Sequence, residues 1–258
     1  MTELHDVATR HGCVACGLHD VCLPAGIEGE ALARVDRMTR DRRTLVRGEP
    51  LFRQGEVFHS LYVLRSGATR STIADAEGVH QVIGFGSPGD ILGVDGLLDE
   101  AYRTEAIALE RSTLCEVPFA RMEAALTEVP SLHRRMLRVL SGEVAADQDH
   151  LVAMGRQSAV ERVALFVHGL VEKQGRLSRQ GDWLRLSMSR ADIANYLGLA
   201  VETVSRALGR MEETGMLQAS GRTLRILDRA MLSAMVSAAP LRSQEKLTAI
   251  RKRAAMNS

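Results

Sequence analysis

The chain has 258 residues, of which 45% are hydrophobic and 25% charged, and this composition is typical of a globular protein of roughly two domains. Aromatic residues make up only 3%, which argues against the broad base-stacking surface of a single-strand-binding protein. The net charge of +1 conceals a division, because residues 1–155 carry −7 and residues 156–258 carry +8. A basic half indicates nucleic-acid binding, and the alternative is a solvated charge excess with no partner.

The sequence gives no sign of membrane association. No apolar run approaches the roughly 20 residues that span a bilayer. Residues 1–12 are polar and lack the apolar core of a signal peptide. We therefore expect a cytoplasmic protein.

The first half of the chain changes from a helical to a strand pattern. Leu32, Val35 and Met38 recur at helical spacing and predict a short helix within residues 28–41. Residues 42–118 then alternate short apolar runs with glycine and proline turns, which predicts a β-roll or barrel. The clearest runs are residues 61–64, 81–83 and 107–109.

A long helix is predicted to follow, beginning near Pro130 with Ser131 as its N-cap. Its apolar positions repeat at alternating spacings of three and four residues, which is the heptad seam of a coiled coil. This seam favours pairing with the same helix of a second chain, and the alternative is a stripe buried within one chain. The seam consists of Leu137, Leu140, Val144, Asp147, Leu151 and Met154.

Residues 189–208 have the pattern of a helix-turn-helix. Gly198 stands where the turn requires positive φ, and a second helix begins at Val201. Glu202, Ser205 and Arg206 share the exposed face of that helix, in the turns that enter the major groove of double-stranded DNA. Arg206 can bind guanine, Glu202 can accept from cytosine, and Ser205 can contact a thymine edge or a phosphate. The alternative is a solvated face with an intrahelical Glu202–Arg206 pair.

Four cysteines indicate a metal site. Cys13, Cys16 and Cys22 form a tight cluster, and Cys115 lies at the end of the predicted β-roll. Four thiolates can hold zinc or an iron–sulfur cluster, and a cytosolic context argues against disulfides. The spacing matches neither a ferredoxin nor a zinc ribbon, so it leaves the metal undecided.

These motifs together identify a family. From about Cys13 to Leu227 the chain resembles the FNR-type oxygen-responsive regulators of the cyclic-AMP receptor protein superfamily. The resemblance is carried by the four cysteines, by SGEVAADQD at residues 141–149 and by NYLGLAVETVSR at residues 195–206. It implies a [4Fe-4S] cluster on the four cysteines that oxygen degrades, palindromic DNA sites with TTGAT half-sites, and contact with RNA polymerase.

The resemblance also implies a fold, which we expect to be α+β. It comprises an N-terminal cyclic-nucleotide-binding-like β-roll, a long dimerisation helix and a C-terminal winged helix-turn-helix. The expected divisions are a cysteine-rich segment (1–27), the β-roll (28–130), the dimerisation helix (131–157), the DNA-binding domain (158–235) and a basic tail (236–258).

A cyclic nucleotide does not fit the sequence. Nucleotide-binding relatives have a Gly-Glu-Leu run whose carboxylate binds the ribose, whereas this chain has Gly93, Val94 and Asp95. Arg103 and Thr104 match the phosphate-binding pair, but a carboxylate follows them directly. No metalloprotease His pair or nucleophile elbow is present either, so we do not expect an enzyme.

Asp147 is the one charged position of the seam. Two copies facing each other in a homodimer would repel, and desolvation would add to the cost. We therefore expect a dimer switch at Val144, Asp147 and Leu151 that keeps the cluster-free chain monomeric. The alternative is an Asp147 that points sideways to solvent or to a basic neighbour.

Two other functions remain open at this point. The cysteines could bind zinc or act as a thiol redox switch in a regulator of the same fold. Alternatively, the β-roll could sense a small ligand while the cysteines are incidental.

Overall fold

The computed structural model of the protein describes residues 12–39, 42–177 and 181–238. Its internal contacts divide the chain into two units, with the boundary between Gly142 and Glu143. Residues 1–11 of the expected cysteine-rich segment and residues 239–258 of the expected basic tail lie outside the described residues.

The strands of the first unit form two antiparallel four-stranded sheets. These strands are β1 (Arg42–Leu45), β2 (Pro50–Phe52), β3 (Ser60–Ser66), β4 (Thr69–Ala74), β5 (His80–Gly86), β6 (Ile91–Leu92), β7 (Glu105–Ala108) and β8 (Ser112–Pro118). One sheet has the order β1-β8-β3-β6 and the other β2-β7-β4-β5. Non-consecutive strands are therefore neighbours in both sheets, as the expected β-roll requires.

Aromatic rings fill the core between the two sheets. Phe52 and Tyr102 stack with ring centroids 4.0 Å apart, and Tyr62 packs in the same cluster. The hydroxyl of Tyr102 donates to the Ser60 carbonyl oxygen over 2.7 Å, so the buried ring leaves no unpaired polar end. Three of the chain's aromatic residues are thus buried in this core.

The helices of the first unit enclose a second apolar cluster. They are α1 (Gly29–Met38), α2 (Gly96–Asp99), α3 (Phe119–Glu128) and the first half of α4, which spans Pro130–Arg156. Leu32, Val35 and Met38 of α1 are buried, which confirms the helix predicted within residues 28–41. The cluster also includes Leu132 and Met136 of α4, together with three of the cysteines as partly buried members.

Part of the predicted seam of α4 is in contact with other residues of the same chain. Leu140 packs against the helical cluster of the first unit, and Met154 accepts a hydrogen bond through its carbonyl oxygen from Arg162 over 2.7 Å. Ser131 does not cap the helix as predicted. Pro130 is already the first helical residue, a position where its missing N–H costs nothing. The exposed apolar seam residues are Leu137, Val144 and Leu151, at 53%, 56% and 70%.

The second unit is a winged helix-turn-helix. Its elements after α4 are α5 (Ala159–Leu177), β9 (Trp183–Arg185), α6 (Arg190–Leu197), α7 (Val201–Glu213), β10 (Leu217–Ser220), β11 (Thr223–Ile226) and α8 (Arg229–Ala238). The three strands form one antiparallel sheet of order β10-β11-β9, which is the wing. None of the described helices in either unit is both long and apolar enough to cross a membrane.

Candidate functional site

The four cysteines come from two regions that the fold of the first unit brings together. Cys13 begins a short 3-10 helix, and Cys16 and Cys22 lie in the turns that follow it. Cys115 lies in β8, opposite a residue of β1 and a residue of β3. All four are free thiols and partly buried.

The pKa values of the thiols depend on one another. Burial raises the pKa of Cys13 to about 12, and Asp36, Cys22 and Cys115 raise it further. Burial likewise raises the pKa of Cys22 to about 12, with added repulsion from Cys115 and Cys16. The geometry agrees, because Cys13, Cys22 and Cys115 all pack against the same apolar cluster of the first unit. The structure therefore places cysteines from the two regions near one another.

Arginines lie beside the thiols and lower the thiol pKa values that burial raises. Burial raises the pKa of Cys115, whereas Arg65 and Arg42 lower it. Arg135 lowers the pKa of Cys22 in the same way, against the larger effect of burial. Positive charge is thus available to offset the charge that ionised thiols would bring into this partly buried site.

The segment between Cys13 and Cys22 is held from outside. The backbone N–H of Cys13 donates to Asp36 Oδ1 of α1 over 2.6 Å. His19 Nε2 lies 3.2 Å from the Ile27 carbonyl oxygen, and this hydrogen bond fixes the position of the ring in the loop. These contacts therefore define the path of the segment.

This donor set fits an iron–sulfur cluster. Among residues 12–39, 42–177 and 181–238, no group of three or more His, Cys, Asp or Glu side chains is arranged to hold a single metal ion. In a [4Fe-4S] cluster each thiolate binds a different iron, so the four sulfurs need not converge on one point. Four free thiols are present, three of them pack on one apolar cluster, and arginines lie beside them, which is the type of donor set that such a cluster uses.

The second site is the helix-turn-helix of the second unit. Ser189 caps α6 with a capping box, in which its Oγ accepts from the Asp192 N–H at 3.0 Å and Asp192 accepts from the Ser189 N–H at 2.8 Å. Gly198 ends α6 with φ +60°, and a Cβ at this position would meet the Met154 methyl at 2.5 Å. Glycine is therefore required at the turn, as the sequence predicts.

The predicted recognition residues lie together on the exposed face of α7. Glu202, Ser205 and Arg206 are all exposed, while Val204 and Leu208 of the same helix are buried. Within the part of the chain that the structure describes, no ion pair joins Glu202 to Arg206. The intrahelical pair of the alternative interpretation is therefore absent there, and both charged groups are exposed to a partner.

Two further arginines beside α6 were missed in the sequence. Arg190, the first residue of α6, donates to the Gly221 carbonyl oxygen in the turn of the wing at 3.2 Å. Arg222 donates to the Ser187 carbonyl oxygen. Burial lowers the pKa of Arg190 and the charge of Arg222 lowers it further, so the two guanidinium groups are neighbours. The only sequence signals were their positions after a helix cap and after a turn glycine.

The three predicted switch residues lie on the second-unit half of α4. Val144 and Leu151 are exposed apolar residues, and Asp147 is exposed beside His150, which stacks on Tyr196 of α6 with ring centroids 4.4 Å apart. Burial lowers the pKa of His150, whereas the Asp147 charge raises it and also raises the pKa of Tyr196 after burial. Asp147 is thus next to a basic side chain of its own chain.

The region that would bind a nucleotide is engaged internally. Asp95 Oδ2 accepts from the Thr104 N–H at 2.9 Å. Arg103 Nε lies 3.8 Å from Asp99 Oδ2, in an exposed ion pair. Both residues of the phosphate-binding pair therefore have contacts within the chain, in keeping with the sequence argument against a cyclic nucleotide.

Comparison with known proteins agrees with the two units. Residues 42–128 match the cyclic nucleotide-binding domain family, and residues 161–235 match the Crp-like helix-turn-helix domain family. The solved structure of FixK2 from Bradyrhizobium japonicum is similar with a TM-score of 0.68 and 31% identity, over 76% of this chain and 96% of that chain.

Curated relatives are similar over most of the chain. The transcriptional activator protein FnrA of Stutzerimonas stutzeri is 38% identical over 230 residues, which cover 88% of this chain and 93% of the relative. The fumarate and nitrate reduction regulatory protein of Escherichia coli K12 is 35% identical over 214 residues, covering 83% and 86%. The chain therefore belongs to the CRP/FNR family, and it is a DNA-binding transcription regulator of the FNR type and not an enzyme.

Proposed function

We propose that the protein is an oxygen-sensing regulator that holds a [4Fe-4S] cluster through Cys13, Cys16, Cys22 and Cys115 under anaerobic conditions. With the cluster bound, the chain dimerises and binds palindromic TTGAT-type sites that control genes of anaerobic metabolism. The observation that carries this proposal is the packing of free thiols from two distant regions of the sequence, Cys13 and Cys22 from one and Cys115 from the other, on one apolar cluster. A relative named for fumarate and nitrate reduction supports the metabolic assignment, because both compounds are electron acceptors other than oxygen.

The cysteine site would hold the cluster by losing protons. Each thiol must ionise to become a ligand, and burial opposes that step at Cys13 and Cys22. Arg65 and Arg135 favour the ionised form and would stay beside the ligated sulfurs. The bound cluster supplies the oxygen-labile group on which the signal depends.

The exposed face of α7 would read the DNA sequence. Arg206 can donate two hydrogen bonds to guanine O6 and N7, and Glu202 can accept from cytosine N4. The TTGAT half-site contains one G·C pair, which offers both of these groups. Ser205 already donates to the Val201 carbonyl oxygen at 3.0 Å, so its oxygen would contact the DNA as an acceptor or by packing.

The arginine pair beside α6 would bind the DNA backbone. Arg190 and Arg222 each use one N–H on a backbone carbonyl, and this fixes two neighbouring positive groups. Such a pair is unfavourable in isolation, and a phosphate between the two groups relieves the repulsion. We assign these residues to positioning on the duplex and the α7 residues to sequence recognition.

Dimerisation would use the exposed face of α4. Leu137, Val144 and Leu151 provide its apolar positions, and Asp147 provides a carboxylate that opposes association until the cluster is bound. The dimer would act in the cytoplasm on double-stranded DNA and would contact RNA polymerase to activate transcription.

The test is anaerobic purification followed by iron and sulfide analysis, a visible spectrum and exposure to air. We expect about four irons and four sulfides per chain and a broad visible band that bleaches in air. Cys115→Ser should lose this band. Glu202→Ala is the matched variant, because it should keep the cluster and lose DNA binding.

Other outcomes would identify other functions. One zinc per chain would indicate a structural metal site, and a metal-free protein with an air-dependent disulfide would indicate a thiol switch. Either result would leave the DNA-binding assignment in place and remove the iron–sulfur proposal.

A further inference from the structure

One side chain of α4 reaches the cysteine segment directly. Arg135 Nη2 donates to the carbonyl oxygens of Val21 and Cys22, at 3.2 Å and 3.0 Å. These contacts join residues more than a hundred positions apart, and both lie within the first unit. Within the described residues Arg135 Nε is buried without a hydrogen-bond partner, so the placement of the guanidinium depends on these two bonds.

The same helix packs on the core that holds the cysteines. Leu132 and Met136 of α4 are buried in the apolar cluster to which Cys22 contributes as a partly buried member. This packing sets which face of α4 meets the core, but it does not itself connect that face to the backbone of the cysteine segment. The hydrogen bonds from Arg135 make that connection.

The rotation of α4 determines where its exposed residues point. Arg135 and Leu137 are two residues apart, which is about 200° around an α-helix. Leu137 is therefore on nearly the opposite side of the helix from the cysteine segment, and it is 53% exposed. A change in the path of Val21 and Cys22 would move the acceptors of Arg135 and turn that exposed side.

We propose that Arg135 is a positioning residue that couples the cysteine segment to the rotation of α4. The proposal rests on the proposed function, in which the same segment holds a cluster and the exposed side of α4 forms the dimer. Ligation of Cys22 sets the position of its carbonyl oxygen, and Arg135 transmits that position to the helix. Arg135 contacts the ligand segment through backbone carbonyls, and its charge also favours the ionised form of Cys22, so a lysine at this position keeps the charge and removes only the fork.

The experiment compares Arg135→Gln and Arg135→Lys in the full-length chain, purified without oxygen. Arg134→Gln and Arg138→Gln are matched controls, because both arginines are exposed on the same helix. Iron and sulfide per chain and the visible spectrum report the cluster, sedimentation reports the dimer, and circular dichroism confirms that each variant is folded.

We expect Arg135→Lys, which keeps the positive charge beside Cys22 but does not form the planar fork, to keep the wild-type iron content and spectrum while its dimer dissociation constant rises about tenfold, or about 1.4 kcal/mol. Arg135→Gln loses the charge as well as the fork, so it should weaken the dimer further and also lower the iron content. The control variants should match the wild type in both measurements.

Two results would overturn the coupling. An unchanged dimer constant in Arg135→Lys would show that α4 does not depend on the fork that Arg135 forms with the two carbonyls. A parallel loss of iron and dimer in Arg135→Lys would show that Arg135 only holds the ligand segment. If the wild-type chain itself bound no iron and sulfide, the proposed function would fail first, and the coupling would fail with it.

Discussion

We predict that Arg222 and Arg206 have different roles in DNA binding, and that the salt dependence of binding distinguishes them. Arg222→Ala removes a guanidinium that is hydrogen-bonded to the Ser187 carbonyl oxygen and is close enough to Arg190 to lower its pKa. In the proposed dimer this variant would remove two phosphate contacts, one from each protomer. Each contact contributes about 0.9 to the slope of log K against log[salt], so the slope should become shallower by about 1.8. Arg206→Ala should instead cost about 1–3 kcal/mol per half-site at the G·C pair.

The assay is anaerobic fluorescence anisotropy over a series of salt concentrations. Two duplexes are compared, a TTGAT palindrome and the same palindrome with its G·C pairs replaced by A·T. Arg222→Ala should weaken binding to both duplexes equally, whereas Arg206→Ala should weaken the first and remove most of the preference. Arg229→Ala is the control, because this exposed arginine already pairs with Asp182 at 3.3 Å. An unchanged salt slope in Arg222→Ala, or equal loss on both duplexes in Arg206→Ala, would contradict the assignment of roles.

Three further predictions concern the switch, the fold and the thiols. Asp147→Ala should dimerise and bind DNA in air, and an aerobic monomer in sedimentation would remove the proposed role of Asp147. Ser189→Ala should lower the free energy of unfolding by about 1 kcal/mol, because the Asp192 N–H loses its cap; denaturation followed at Trp183, the single tryptophan, would measure this. Since burial raises the pKa of Cys22 from 9.0 to about 12, the folded metal-free chain keeps a proton that the unfolded chain loses, so stability should fall as pH rises through this range. The stability of Cys22→Ser should fall less steeply with pH than that of the wild type, and an identical pH profile in the two proteins would contradict the effect of burial on Cys22.

The DNA-binding half could be predicted from sequence because its signals are local. The turn glycine, the buried positions of α6 and the exposed triplet of α7 all lie within residues 189–208. Local signals failed at the start of α4, where Pro130 rather than Ser131 sets the boundary. They also failed for the wing strand β10 (Leu217–Ser220), since only Leu217 of its four residues is fully buried and the alternation is too short to recognise.

The cysteine site depends on tertiary structure, so the sequence could give its members but not its surroundings. Cys115 lies in β8 between β1 and β3, and it packs on the same apolar cluster as Cys13 and Cys22. The charged contacts of the site come from elements far apart in sequence, with Asp36 in α1 and Arg135 in α4. Neither residue belongs to a motif. Their roles follow from the packing of helices against the sheet.

The seam of α4 supports only a marginal dimer. Full burial of a Val or Leu side chain contributes about 1.5–3 kcal/mol, and Leu137, Val144 and Leu151 are on average roughly 60% exposed. Covering the six copies in a twofold dimer would contribute roughly 5–11 kcal/mol. Association costs about 4–15 kcal/mol, a range that spans the burial term, so these side chains alone do not ensure a dimer. We therefore expect a repulsion of about one or two kcal/mol between the Asp147 carboxylates to shift the proposed dimer towards the monomer, and we expect the proposed rotation of α4 to act on the same balance.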